Sequence, residues 1–173
     1  FLDVPEIIAA LRGALARGVE TVALMPAEPD VAVRTVTSPE RAAILATRAE
    51  LGQFENFTLA GLAGLAADGR RHAVYVHSKL MIVDDAWATV GSCNLHRYSL
   101  FGNSELNVAF AGEAPVRDIR DTLLGEHLGV NTTGTDGASA LRLLRRLALE
   151  NARKLSAGDP AWPRTAPRRN LAS

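Results

Sequence analysis

The sequence predicts an α/β fold, and three features carry that reading. Ile7, Ile8, Leu11 and Leu15 recur at helical spacing directly before Val19 to Leu24, a short apolar run that suits a buried strand. Ala42 to Leu51 forms a second helical segment, and Ala73 to Phe110 is rich in β-favouring apolar residues broken by turn signals. A helix that runs straight into a buried strand is one element of an α/β layer. The 173 residues, 47% hydrophobic and 22% charged, suffice for one globular domain with its own core, or for half of a two-lobed one. Such a composition is too apolar and too mixed for a disordered chain. No uninterrupted apolar run approaches the roughly 18–20 residues that span a bilayer.

Each element has a local reason. Asp3-Val4-Pro5-Glu6 reads as an N-cap with a glutamate three residues on, and Gly18 ends the helix that follows. Met25-Pro26 and Glu28-Pro29-Asp30 close the first strand in a loop. Ser38-Pro39-Glu40 starts the second helix, with serine as cap and proline in the first turn, and Gly52 stops it. Phe57 to Leu59 is a short strand, and Asp68-Gly69 is a turn. Val74, Val76 and Leu80 to Val83 make a strand, Asp84-Asp85 turns it, and Trp87 to Val90 returns as the second arm of a hairpin. Leu106 to Phe110 is a further strand, and Arg117 to Leu128 is a helix ended by Gly129. Asn131 to Gly137 is a polar loop, Ser139 caps a last helix with Leu141, Leu144 and Ala148 on one stripe, and Gly158-Asp159-Pro160 opens a frayed, Pro- and Arg-rich tail.

Charge and cysteine usage narrow the function classes. A single cysteine excludes a disulfide framework and a multi-cysteine zinc site. Zero net charge gives no global attraction to nucleic acid or anionic lipid. The balance is uneven, however: residues 140–173 hold eight Arg and Lys against Glu150 and Asp159. That basic end reads as a solvated face before it reads as a phosphate or lipid contact. The chain opens at Phe1 with no methionine and no charged leader before an apolar core, which points to a processed or excised chain.

Chemistry concentrates in the hairpin. His77-Ser78-Lys79 interrupts a strand that should be buried, and burying an imidazole and an ammonium costs several kcal/mol unless each is bonded or acts on a ligand. On a strand, i and i+2 share a face, so His77 and Lys79 should project side by side. Gly91-Ser92-Cys93-Asn94 ends the return strand, and the hairpin brings it back beside His77. Ser92 and Asn94, also i and i+2, add two hydrogen-bonding side chains, and Gly91 lets the backbone approach closely. A cation, a histidine and neutral donors around one point suit a tetrahedral oxyanion such as phosphate. A histidine can attack phosphorus if a partner fixes its tautomer, and Glu105 could supply that carboxylate.

The pattern His77-Ser78-Lys79, four residues, Asp84, six residues, Gly91-Ser92-Cys93-Asn94 resembles the HKD signature of the phospholipase D superfamily. Asn94-Leu95-His96-Arg97-Tyr98-Ser99 and Asn103-Ser104-Glu105-Leu106-Asn107 look like the segment that follows it in bacterial phospholipases D and cardiolipin synthases. Glu126-His127-Leu128-Gly129 is similar to the EHLG element of true phospholipases D, and the helix ending Ala16-Arg17-Gly18-Val19 resembles the opening of that family's C-terminal half. The resemblance spans roughly residues 1–130, an HKD domain, and leaves 131–173 as a loop, basic helix and tail. It implies a three-layer α/β/α sandwich with a mixed sheet. It further implies a metal-independent phosphodiesterase or phosphatidyl transferase, working through a phosphohistidine and acting on phospholipid or another phosphodiester. On these positions His77 would be nucleophile or general acid, Lys79, Ser92 and Asn94 would bind phosphate, Asp84 would brace the hairpin, and Glu105 would orient a histidine.

Only one HKD element is present: His72, His96 and His127 lack the following lysine and aspartate. The second half would come from an upstream portion of a parent protein, another chain, or a homodimer mate. A homodimeric HKD nuclease and a phosphate-binding half-domain without turnover therefore stay open beside the lipid enzyme. A basic groove for nucleic acid is missing outside the 140–173 end, whereas EHLG and the neutral charge favour phospholipid. The expected protein is bacterial and soluble or membrane-peripheral. His72 and His96 read as surface or supporting residues, His127 as a helix-end residue suited to the dipole, Cys93 as a small buried hydrophobe, and Trp87 and Tyr75 as core. Trp162 reads as packed on the body, and the Asn131 to Gly137 loop as an ordinary connection.

Overall fold

A computed structural model describes residues 2–26, 38–67, 71–158 and 165–167. The elements run α1 (Pro5–Ala16), β1 (Thr21–Leu24), α2 (Ser38–Leu51), β2 (Phe57–Leu65), β3 (Arg71–Val74), β4 (Lys79–Val83), β5 (Trp87–Gly91), α3 (Arg97–Phe101), β6 (Asn107–Ala111), α4 (Glu113–Leu128), α5 (Gly137–Ser156) and β7 (Thr165–Pro167). The Asp68-Gly69 turn, Trp162 and the Glu28 to Asp30 loop lie outside the described residues.

The fold is α/β, with strands in two sheets. β1 pairs parallel with β2, from Thr21↔Phe57 to Leu24↔Ala60. β3 and β7 both pair antiparallel with β2, so this first sheet is mixed. The second sheet is antiparallel, in the order β4-β5-β6. Layering is clearest at β1, where neighbouring side chains point to opposite faces. Val22 packs on Leu124, Leu128, Ala140 and Leu144 of α4 and α5. Ala23 packs on the other side, with Leu2, Leu15, Leu51 and Phe57. Helices thus cover both faces of this strand.

Several boundaries shift for physical reasons. β2 runs six residues beyond Leu59, because its Ala- and Gly-rich second half finds partners on β3 and β7. The N-cap of α1 is Val4 without a side-chain cap. Asp3 instead accepts the Arg97 N–H at 3.1 Å, and Leu2 N–H donates to Leu95 O at 3.1 Å, which ties the start of the chain to the segment after β5. α4 begins at Glu113, four residues before Arg117. Asp136, not Ser139, caps α5: its carboxylate accepts the Ser139 N–H at 2.9 Å. Gly129 closes α4 in the left-handed conformation, as its position suggests. The tail is not frayed throughout, since Thr165–Pro167 pairs with β2.

Tyr75 and Trp87, expected in the core, are exposed. The reason is local. Lys79, Met81, Val83, Trp87 and Thr89 lie on one face of the second sheet by strand alternation and register, and no residue on that face is buried. Ala88 on the opposite face is fully buried, and α4 packs against β5.

Candidate active site

The hairpin arm places Lys79 opposite Gly91, and Gly91 opposite Asn107 on β6. This three-strand row needs a glycine in its centre. A Cβ on Gly91 would sit 2.1 Å from Asn107 Oδ1 and 2.3 Å from Leu106 O, distances that only a backbone shift could relieve. The close approach lets Ser92 N–H donate to Leu106 O at 3.0 Å and Cys93 N–H donate to Asn107 Oδ1 at 3.1 Å. Asn107 therefore shapes the Ser92–Asn94 turn, a role the pattern alone did not reveal.

The polar residues divide into two groups. Ser92 Oγ donates to Glu105 Oε2 at 2.5 Å and accepts the Leu106 N–H at 3.1 Å. Hydrogen bonds from Ser92, then Ser99, hold the Glu105 carboxyl below its ordinary value; burial opposes them, and Asn103 and the charge of His96 assist. Asn94 Nδ2 lies 3.5 Å from Ser99 Oγ, and His96 Nδ1 accepts the Ser99 N–H at 3.3 Å as the cap of α3. So Ser92, Asn94, His96, Ser99 and Glu105 form one connected cluster. His96 and Ser99, read as surroundings, belong to it.

His77 and Lys79 form the second group. The expected single strand through both is broken: residues 75–78 lie outside any ladder, between β3 and β4. His77 is exposed and stacks on Tyr75, with ring centroids 5.7 Å apart. Lys79 Nζ donates to the His77 carbonyl at 2.7 Å, so the ammonium is joined to the histidine's main chain rather than set beside its ring by strand alternation. Glu105 is placed against Ser92 and Ser99, not against His77. Among the described residues, no three of His, Cys, Asp and Glu gather as metal ligands.

The bracing expected of Asp84 falls to its neighbour. Asp84 and Asp85 both have positive φ, 52° and 54°, and Ala86 N–H returns to Val83 O at 3.0 Å, as in a tight I′-like turn. Asp84 is exposed at the tip. Asp85 takes a bidentate bond from Arg120 of α4, Nε to Oδ1 at 2.9 Å and Nη2 to Oδ2 at 2.7 Å. The same buried guanidinium donates to Asp121 at 2.7 Å and to Thr135 O at 2.9 Å, and buried Thr132 donates to Asp121 at 2.8 Å. The 131–136 connection is thus fastened rather than loose. His127, in the last turn of α4, is half-buried, and burial pushes its pKa down despite Glu126. The imidazole is therefore biased to its neutral form, against the charge-dipole role its position suggests.

The family model described as "Cardiolipin synthase, PLD-like domain" matches residues 1–124. The chain belongs to this PLD-like family. The PLD-like chain is 38% identical over 77 residues to phospholipase D alpha 2 of Brassica oleracea var. capitata, covering 38% of this chain and 10% of that one. It is 31% identical over 96 residues to phospholipase D gamma 1 of Arabidopsis thaliana, covering 47% and 11%. The match thus spans about a tenth of the length of these relatives. Among solved structures it is similar to NucT from Helicobacter pylori, with a TM-score of 0.39 and 13% identity over 69% of this chain and 88% of that one.

Proposed function

We propose that this PLD-like chain is one catalytic half of a phosphodiesterase or phosphatidyl transferase, with phospholipid as the favoured substrate. The observation that carries it is the Lys79–Gly91–Asn107 row, which sets a cation and the Ser92–Asn94 donors at one end of an otherwise apolar hairpin. Lys79, Ser92 and Asn94 would bind the phosphate oxygens, and Asp84 and Asp85 would keep the turn that holds the two arms in register. A His77 ring nitrogen attacks phosphorus. An N–P bond forms, the P–O bond to the leaving alcohol breaks, and a second histidine gives that alkoxide a proton. The second histidine then takes a proton from water or an acceptor alcohol, whose oxygen attacks phosphorus and releases His77. Glu105 would orient one of these imidazoles once both halves meet. Lysine and neutral donors meet the charge that develops on phosphate, so the reaction runs without a metal and survives EDTA.

The second half belongs on the exposed face that carries Lys79, Met81, Val83 and Trp87. Such a contiguous apolar surface beside polar residues marks an interface. Sedimentation and phosphodiester turnover measured on one sample test the reading. Activity should appear only with a dimer or an added HKD half, His77→Ala should lower it by several orders of magnitude, and Cys93→Ala should leave it near normal. Full turnover by a strict monomer, or by the His77 variant, would overturn it. A homodimer active on nucleic acid but not on phospholipid would replace the lipid substrate with the nuclease alternative.

A further inference from the structure

We propose that the outer face of α5 is a docking surface for an anionic phospholipid bilayer. The helix has two unlike sides. Ala140, Leu144, Ala148 and Asn151 are buried, and Leu144 packs with Leu124 and Leu128 of α4. On the opposite side Arg142, Arg146, Leu149 and Arg153 follow at helical spacing on one stripe, all exposed, with Arg145 half-buried beside them.

A solvated helix face usually carries its own counter-charges, and this one carries few. Arg142 meets Glu20 at 3.6 Å, and Lys154 meets Glu150 at 2.9 Å. Arg145, Arg146 and Arg153 have no ion-pair partner among the described residues. Three guanidiniums without an ion-pair partner among the described residues, on a chain of zero net charge, concentrate attraction for anions at one place. A depression of about 350 Å³, lined by Glu20, Ser139, Arg142, Arg145 and Arg146, opens at the start of the stripe and has room for a phosphate-bearing headgroup.

An apolar residue on this face decides between lipid and nucleic acid. Leu149 is 48% exposed in the middle of the arginines. At a lipid interface such a side chain enters the acyl boundary while guanidiniums stay with the phosphates. A single-stranded polynucleotide would instead want aromatic platforms for its bases, and the stripe has none. This surface is separate from the hairpin, so its role does not depend on which phosphodiester the hairpin cleaves.

Co-sedimentation of the 173-residue chain with vesicles tests the assignment. Vesicles of phosphatidylcholine mixed with phosphatidylglycerol should bind it, and vesicles of phosphatidylcholine alone should not. High salt should release the unmodified chain, because exposed charges are screened. The Arg145→Gln/Arg146→Gln/Arg153→Gln variant should partition on the order of a hundredfold less, at about a tenfold step or somewhat under for each basic residue at the surface. Leu149→Ser should weaken binding by a smaller factor. Circular dichroism checks that both variants keep their helices, and the salt release needs no variant at all. Absent or salt-independent binding, equal binding to neutral vesicles, or unchanged binding by the triple variant would overturn the assignment. So would a single-stranded oligonucleotide that displaces the vesicles and loses its own affinity in the triple variant.

Discussion

The two sheets differ in how much of their burial comes from this chain. In the first, β2 is buried at Phe57, Thr58, Ala60, Gly61 and Ala63, and its neighbour β1 is packed by helices on both faces. In the second, β4, β5 and β6 have one buried residue between them, Ala88, although their strand pairing is complete. The first sheet is held by apolar contact. The second is held by main-chain ladders, by the Asp85–Arg120 clamp at one end, and by the Ser92–Glu105–Leu106 bonds at the other. A core that is finished here and a sheet that is not set the two regions apart: apolar packing holds the first together, and the second leaves polar groups and an apolar face exposed.

The clamp offers the largest stability effect with which to break this contrast. Arg120 is 4% exposed, and Asp85 is its bidentate partner. Removing Asp85 leaves the buried Arg120 with Asp121 as its carboxylate partner, and removing Arg120 leaves Asp85 with Arg117 at 3.9 Å. Breaking a buried pair costs up to about 3–5 kcal/mol, and these second partners put the cost at the low end. Asp85→Ala and Arg120→Ala should each lower stability to urea by that order, and the double variant should cost less than the sum of the two. Strict additivity would show that the pair does not hold the hairpin to α4. Deletion of the exposed neighbour, Asp84→Ala, should be far milder.

Core and face substitutions sharpen the contrast. Leu51 is fully buried in the first cluster, so Leu51→Ala should cost about 2–5 kcal/mol. Val83→Ser, on the exposed face, should change the stability of the lone chain by only about 0.5 kcal/mol. It should nevertheless weaken association with the second half. A large loss of stability from Val83→Ser, with association untouched, would mean that the face is covered within this chain and that the sheets are alike.

Sequence legibility follows the same division. Periodicity located α1, β1 and α2, because apolar stripes and strong stop residues act locally. The hairpin and its turn were visible in Asp84-Asp85, and Gly91 was recognisable as a point of close approach. β2 was read at only three residues, since Gly61, Ala63 and Gly64 favour no strand until β3 and β7 supply partners. Asp3 and Ser139 looked like caps, yet one bonds Arg97 and the other is the third residue of its helix. Spacing singled out the candidate residues. Their grouping was not legible, because the Ser92–Glu105 bond, the Asp85–Arg120 pair and the break at 75–78 depend on contacts between distant segments that no local pattern encodes. Trp87 was misplaced because a large apolar residue on a strand signals burial whichever face it takes, and Tyr75 because the strand expected through it is broken at 75–78.

The smallest effect lies at the open end of the hairpin, in the titration of Glu105. Ser92 is the largest cause of its lowered pKa, followed by Ser99, with burial acting against them. A carboxyl whose folded pKa lies below its unfolded value adds stability above the unfolded value and loses it as pH falls through the folded one. The β5–β6 connection should therefore hold from neutral pH down through the ordinary carboxylate range, and loosen only in more acidic solution. Ser92→Ala removes the strongest bond to the carboxylate but leaves Ser99 and Asn103. The Glu105 pKa should then rise part of the way to its ordinary value, and the acid loosening should begin at higher pH. The carboxyl carbon of Glu105, followed by NMR across an acid titration of both proteins, reads this directly. An unshifted titration in the variant would mean that the serine does not hold the carboxylate. The open end of the second sheet would then rest on its ladders alone, and the contrast with the clamped end would deepen rather than close.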